Sequence, residues 1–193
     1  YPLAPSQVLE NFFTHSGSDQ FGRVIDSAGD FDGDGRNDVL VVAEGEDRGA
    51  YTSSNYDNVD GCPDRSVGDA GGVYVFRGLE DGSLEPTPAF LLHGPESGQR
   101  IDELLGGLDL NGDGRSDFVF GSHRLDQGPG ERRNHRGGLG VVLGRERGAT
   151  PAKLQPLSEA AFLFRGYMAN ALLGWPLRPL GAVNQVGSPD FVF

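Results

Sequence analysis

The stretch Asp30-Phe31-Asp32-Gly33-Asp34-Gly35-Arg36-Asn37-Asp38 runs directly into the apolar Val39-Leu40-Val41-Val42. It recurs as Asp109-Leu110-Asn111-Gly112-Asp113-Gly114-Arg115-Ser116-Asp117, followed by Phe118-Val119-Phe120. The two copies start 79 positions apart, at 30 and 109. An acidic turn repeated together with the β-branched or aromatic run behind it marks a repeated supersecondary unit. Acids at alternate positions of a tight loop turn their carboxylates to one side. Calcium, a hard cation, collects six to eight oxygens at flexible geometry. The first loop offers Asp30, Asp32 and Asp34 at positions 1, 3 and 5, the Arg36 carbonyl at position 7, and Asp38 at position 9. The second offers Asp109, Asn111, Asp113, the Arg115 carbonyl and Asp117. The ninth residue is expected to close the shell through both oxygens. Gly35 and Gly114 permit the positive φ that so sharp a turn needs. Two Ca²⁺ sites are expected.

An EF-hand loop shares positions 1, 3, 5, 6 and 7 with these loops, but it needs an acidic residue at position 12 and a helix on each side. Position 12 is Val41 in one copy and Phe120 in the other. The flanking residues have strand character, so the EF-hand reading is rejected. An ion-free Asp/Gly turn would explain one copy. Two copies, each closed by an Asp, argue against it.

With Phe21-Gly22 upstream and Asp38-Val39-Leu40-Val41-Val42 downstream, the segment resembles the FG-GAP repeat of integrin α-subunit β-propellers, which also occurs in many bacterial secreted proteins. The resemblance covers nearly the whole chain in repeated form. Its specific part is the metal loop. The second copy carries Arg100-Ile101 where Phe-Gly would stand. A third copy is more degraded, with Leu173-Gly174 at the Phe-Gly place and Pro189-Asp190-Phe191-Val192-Phe193 at the run into the strand. Its metal positions read Ala182, Asn184, Val186 and Asp190. Two oxygen side chains are missing, and no calcium is expected there.

The resemblance implies an all-β fold of four-stranded antiparallel propeller blades, each with strands a to d from the inside outward. One blade takes residues 21–94, with strands at 21–29, 39–43, 72–76 and 89–92 around the calcium loop 30–38. The next takes residues 95–166, with strands at 103–108, 118–121, 139–143 and 161–164 around the loop 109–117. Residues 167–193 form a partial blade ending in a strand at 191–193. Residues 1–20 supply the last strand of a preceding blade, at 9–13. That is roughly two and a half blades, whereas closed propellers have about four to eight. The expectation is an incomplete or partner-completed propeller, a section of a larger chain or assembly. Its open sheet edges would invite pairing.

Composition narrows the function. Asp and Glu number 28 against 16 Lys and Arg, a formal charge of −12. Two Ca²⁺ would bring it only to −8, so the chain stays acidic. Phosphate recognition needs a basic face, which disfavours nucleic acid and anionic membrane as partners. No apolar run approaches the ~18 residues of a membrane span. The single cysteine, Cys62, excludes a disulfide within the chain and reads as a free loop thiol. Sites of this kind suit millimolar calcium outside the cytosol. The expected location is extracellular or periplasmic, with any signal segment removed or outside this sequence.

Two long loops stand out at 44–71 and 122–138. The first is acidic (Glu44, Glu46, Asp47, Asp57, Asp60, Asp64, Asp69) and carries Tyr51 and Tyr56; the second is basic (Arg124, Arg132, Arg133, Arg136) with His123 and His135. Loops of this length are often functional. They offer either a recognition surface for a protein or glycan, on the face the resemblance makes the first place to look, or solvated lobes that pair with each other. A third cation site among Asp57, Asp60, Asp64 and Asp69 matches no established spacing.

The Phe residues at 12, 13, 76, 90, 118, 120, 162 and 164, and Trp175, are expected in the packing between blades. No Gly-x-Ser-x-Gly or His-Glu-x-x-His motif occurs. His15 and His93 occupy matching repeat positions, as structural residues would. The chain is expected not to be an enzyme. It reads as a calcium-binding recognition module. The alternatives are a structural subunit of a larger assembly, or the scaffold of an enzyme whose active site lies elsewhere.

Overall fold

The computed structural model describes residues 19–46, 70–94, 98, 100–125, 135–147, 154–156, 162–181 and 190–192. Among them there is no helix, and the all-β expectation holds. The strands are β1 (Phe21–Gly29), β2 (Asp38–Ala43), β3 (Gly72–Phe76), β4 (Phe90–His93), β5 (Glu103–Leu108), β6 (Asp117–Ser122), β7 (Gly138–Val142), β8 (Leu154–Pro156), β9 (Phe162–Arg165), β10 (Arg178–Gly181) and β11 (Asp190–Val192). Strands β1-β2-β3-β4 form one antiparallel blade and β5-β6-β7-β9 the next. Strands β10 and β11 pair antiparallel as a third, two-stranded sheet. The expected strand 9–13 and positions 182–189 of the third loop lie outside the described residues.

Side-chain alternation, period two along each strand, sorts the core into layers. Leu40, Val42, Val73, Val75, Phe90 and Leu92 leave one face of the first blade. They meet Ile101, Leu104, Phe118, Phe120 and Val142 of the second. The intervening residues Val41, Tyr74, Phe76 and Leu91 pack on the first blade's other face. Val119, Leu139 and Val141 look away from the first blade, toward Leu177 and Phe191. Burying large apolar side chains between twisted sheets, at about 1.5–3 kcal/mol each, holds the blades face to face.

Near the inner edge the sheets approach too closely for side chains. A Cβ on Gly106 would lie 2.2 Å from the Ser27 carbonyl oxygen. The Gly106 amide instead donates to Asp26 Oδ2 at 3.1 Å. The Phe-Gly place carries a backbone signature: Gln20, Arg100 and Leu172 all have positive φ (53°, 47°, 55°). A Cβ on Gly71 would strike Arg100-Ile101, and one on Gly137 would strike Leu172-Leu173. The repeated contact sets Ile101 and Leu173 in the place of Phe21.

Three features depart from expectation. Strand β8, between the third and fourth strands of the second blade, runs back to pair in parallel with β4 and extends the first blade to five strands. That pairing covers an otherwise open edge. Phe162 and Phe164, expected in inter-blade packing, are 58% and 51% exposed. Trp175, also assigned to packing, is 54% exposed. Phe162 and Phe164 match Phe90 and Leu92 in register, and those two are buried because a complete blade faces them.

Candidate metal centre

Each acidic loop links an inner strand to its neighbour: β1 to β2 in the first blade, β5 to β6 in the second. In the first loop, Asp30 Oδ1 accepts from the Asp34 amide (2.9 Å) and Oδ2 from the Gly35 amide (2.9 Å). Asp32 Oδ1 accepts from the Asp34 amide (3.2 Å), and Asp34 Oδ1 from the Arg36 amide (3.0 Å). The second loop repeats the ladder. Asp109 accepts from the amides of Gly112, Asp113 and Gly114. Asn111 Oδ1 accepts from Asp113, and Asp113 Oδ1 from Arg115. Such local side-chain-to-backbone bonds hold a turn without strand or helix partners. Positive φ at Gly33, Gly35, Gly112 and Gly114 lets the chain coil this tightly.

The ninth residue makes hydrogen bonds that reach beyond its loop. Asp38 is buried at the start of β2. Its Oδ2 accepts from the Phe31 amide at 3.1 Å and its Oδ1 from the Gly78 amide at 3.0 Å. Asp117 makes the same pair with Leu110 (2.7 Å) and Gly144 (2.8 Å). Each thus ties its loop to the chain leaving the third strand. The expectation for this residue, closure of a metal shell, did not include the clamp, because its partner lies 40 residues along the chain. A carboxylate oxygen keeps a second lone pair after accepting one hydrogen bond, so the clamp leaves capacity for a cation.

Ligand oxygens of Asp30, Asp32 and Asp38 lie within 4.8 Å of one another, a grouping that can hold a metal ion. Burial, joined by the charges of Asp32 and Asp34, pushes the Asp38 carboxyl up to about 6. Burial also raises Asp117. Asp113, exposed and holding the Arg115 amide, is lowered. Concentrated negative charge that raises an acid's pKa is charge that a cation relieves.

The two loops differ in their arginines. Arg77 Nε lies 2.7 Å from Asp32 Oδ2. Arg36 and Arg147 both meet Asp34 Oδ2, Arg147 at 2.8 Å from the second blade. In the second loop, Asp113 Oδ2 meets one arginine among the described residues, Arg115 at 2.9 Å, and accepts from Asn111 Nδ2 at 3.1 Å. The loops also touch across the blades: the Ser116 amide donates to the Asp30 carbonyl (2.8 Å) and the Arg145 amide to the Phe31 carbonyl (2.9 Å). Most of the expected recognition loops, 47–69 and 126–134, and with them Cys62 and the Asp57–Asp69 acids, lie outside the described residues. His93 is buried with Nδ1 2.9 Å from the Gly94 carbonyl oxygen, a structural place. His15 lies outside the described residues.

No protein-family model matches the chain. Over 164 residues, 84% of the chain, it is 27% identical to integrin alpha-IIb of Mus musculus. The chain spans only 14% of that protein's length. The match is a distant one, consistent with FG-GAP-like repeats and with the propeller-type sheets described above.

Proposed function

We propose that the chain is a calcium-binding recognition module of the integrin α-like propeller type, non-catalytic and working outside the cytosol. One Ca²⁺ would be held by Asp30, Asp32, Asp34, the Arg36 carbonyl and Asp38. A second would be held by Asp109, Asn111, Asp113, the Arg115 carbonyl and Asp117. The observation that carries this reading is the convergence of Asp30, Asp32 and Asp38 within a hydrogen-bond ladder that the second loop repeats. When bound, calcium supplies charge neutralisation and cross-linking of the loop. The chain's own clamps at Asp38 and Asp117 then pass that rigidity to the exits of β3 and β7. The opposite ends of the strands, with the loops 44–71 and 122–138, are left to meet a protein or glycan. The blade limits 21–94, 95–166 and 167–193 belong to the same proposal.

The test is thermal melting of Asp34→Ala and Asp113→Ala in millimolar calcium and in chelator. Both variants should melt below the wild type in calcium, and the wild type should lose stability on chelation. Unchanged melting in all of these would overturn the reading. A second reading, a structural subunit of a larger assembly, is favoured by one observation. The exposed Phe162 and Phe164 occupy the register positions that Phe90 and Leu92 fill inside the first inter-blade core.

A further inference from the structure

At the strand ends opposite the acidic loops, a cavity of about 670 Å³ opens between the two blades and the segment leading into β10. That volume lies within the ~300–1,000 Å³ typical of small-ligand sites. Arg23 and Val24 reach it from β1, Glu44 from the end of β2, Asp102 and Glu103 from the start of β5, His123 and Arg124 from the end of β6. Leu172 and Trp175 complete it.

Most of its polar groups are fixed by one another. Glu44 Oε1 accepts from Arg100 at 3.1 Å, and Oε2 pairs with Arg23. Asp102 Oδ2 pairs with His123 Nδ1, while Arg124 Nε lies 3.0 Å from His123 Nε2. A ring nitrogen facing an N–H donor is the acceptor, so His123 Nε2 accepts from Arg124. Glu103 Oε2 is 3.6 Å from Arg178. Glu44 Oε2 and Asp102 Oδ1 are both buried without a hydrogen bond; the first has the Arg23 ion pair, whereas no ion pair is formed by Asp102 Oδ1 among the described residues. A buried acceptor without a partner costs about 1–3 kcal/mol, and a ligand hydroxyl in the cavity would remove that cost. At the mouth, Trp175 presents a half-exposed ring beside Leu172.

The charge pattern selects the ligand. A cation drawn to Asp102 or Glu103 meets Arg23 and Arg124; an anion drawn to those arginines meets Glu44, Asp102 and Glu103. A neutral hydroxyl meets neither objection, because it donates to Asp102 Oδ1 and accepts from a guanidinium. The apolar C–H face of a ring of hydroxyls packs on an indole. We propose that this inter-blade cavity binds a neutral polyhydroxylated ligand, a hexose unit of a glycan. The proposal rests on the recognition reading above and names its ligand class at a place that needs no calcium ligand.

Trp175 is the chain's single tryptophan, so its emission reports on this cavity alone. The experiment titrates the protein, in millimolar calcium, with glucose, galactose, mannose and N-acetylglucosamine. Cationic glucosamine and anionic glucuronate serve as charged comparisons. At least one neutral sugar should give a saturable change, which Asp102→Asn weakens by about tenfold or more and Glu80→Gln, on an exposed turn, leaves unchanged. Calorimetry on Trp175→Ala, altered at a half-exposed position, should show the same loss. Saturation by a charged sugar only, by no sugar, or equally in Asp102→Asn and Trp175→Ala, overturns the proposal. Calcium titration of the same samples separates the two readings: intact calcium binding without a sugar response sinks the cavity proposal alone.

Discussion

Replacing Asp38 by Ala in the metal-free protein isolates the clamp from the metal. The carboxylate accepts the buried amides of Phe31 and Gly78. Its loss strands the Gly78 amide, at about 1–3 kcal/mol, and leaves the Phe31 amide with its other acceptor, the Gly29 carbonyl at 3.1 Å, at about 0.5–1.5 kcal/mol. The opposing contribution is relief from burying a charge: a carboxyl pushed up to about 6 sits in an environment that disfavours its ionised form, and at neutral pH that relief is worth roughly 1–2 kcal/mol after solvent screening. The net loss is about 1–2 kcal/mol. For a chain of this size each kcal/mol moves the melting temperature by about 2–4 °C, so Asp38→Ala should melt roughly 2–8 °C below the wild type in chelator at pH 7.5. Asp38→Asn keeps one acceptor and no charge, and should lose about half as much. Asp117→Ala should follow Asp38→Ala, since Leu110 and Gly144 repeat the geometry. The assay is differential scanning calorimetry. A metal-free Asp38→Ala that melts within about 1 °C of the wild type, or an Asn variant less stable than the Ala variant, would refute the clamp.

The same carboxyl sets a pH dependence. Between its ordinary value of 3.8 and about 6, folded Asp38 holds a proton that the unfolded chain has released, so metal-free stability falls as pH rises through that window. Calcium takes the deprotonated form, so its stabilisation should grow across the same window. Melting curves at pH 4.5, 5.5, 6.5 and 7.5, with calcium and with chelator, should diverge as pH rises, and a metal-free curve that climbs instead would contradict this. Arg147 pairs with Asp34 Oδ2, an oxygen that the proposed calcium would also use. Arg147→Gln should therefore tighten calcium at the first loop by roughly 1.5- to 5-fold at low salt, as expected for a partly exposed pair. Weaker binding in calorimetry would count against that competition.

The loops and strands were legible because their information is local. Alternating acids with glycines fix the turn, and period-two runs such as Val39-Leu40-Val41-Val42 assign each side chain to a face. What escaped the sequence joins distant segments. The role of Asp38 depends on Gly78, that of Asp117 on Gly144, and the pairing of β8 with β4 joins residues of two blades. Asp102, His123 and Trp175 carry no spacing signal, since three separate segments bring them to one cavity. Trp175 read as core because a large aromatic side chain is usually buried on average; here it stands at a cavity mouth. Phe162 and Phe164 read as core by repeat position but stand exposed, because among the described residues no complete blade faces them.

The most direct test of the calcium account is the stoichiometry of binding by isothermal titration calorimetry on protein stripped with chelator. The account predicts two calcium ions per chain, falling to one in Asp30→Ala and one in Asp109→Ala. A wild-type protein that binds no calcium at millimolar concentration, or that still binds two after either substitution, would contradict it.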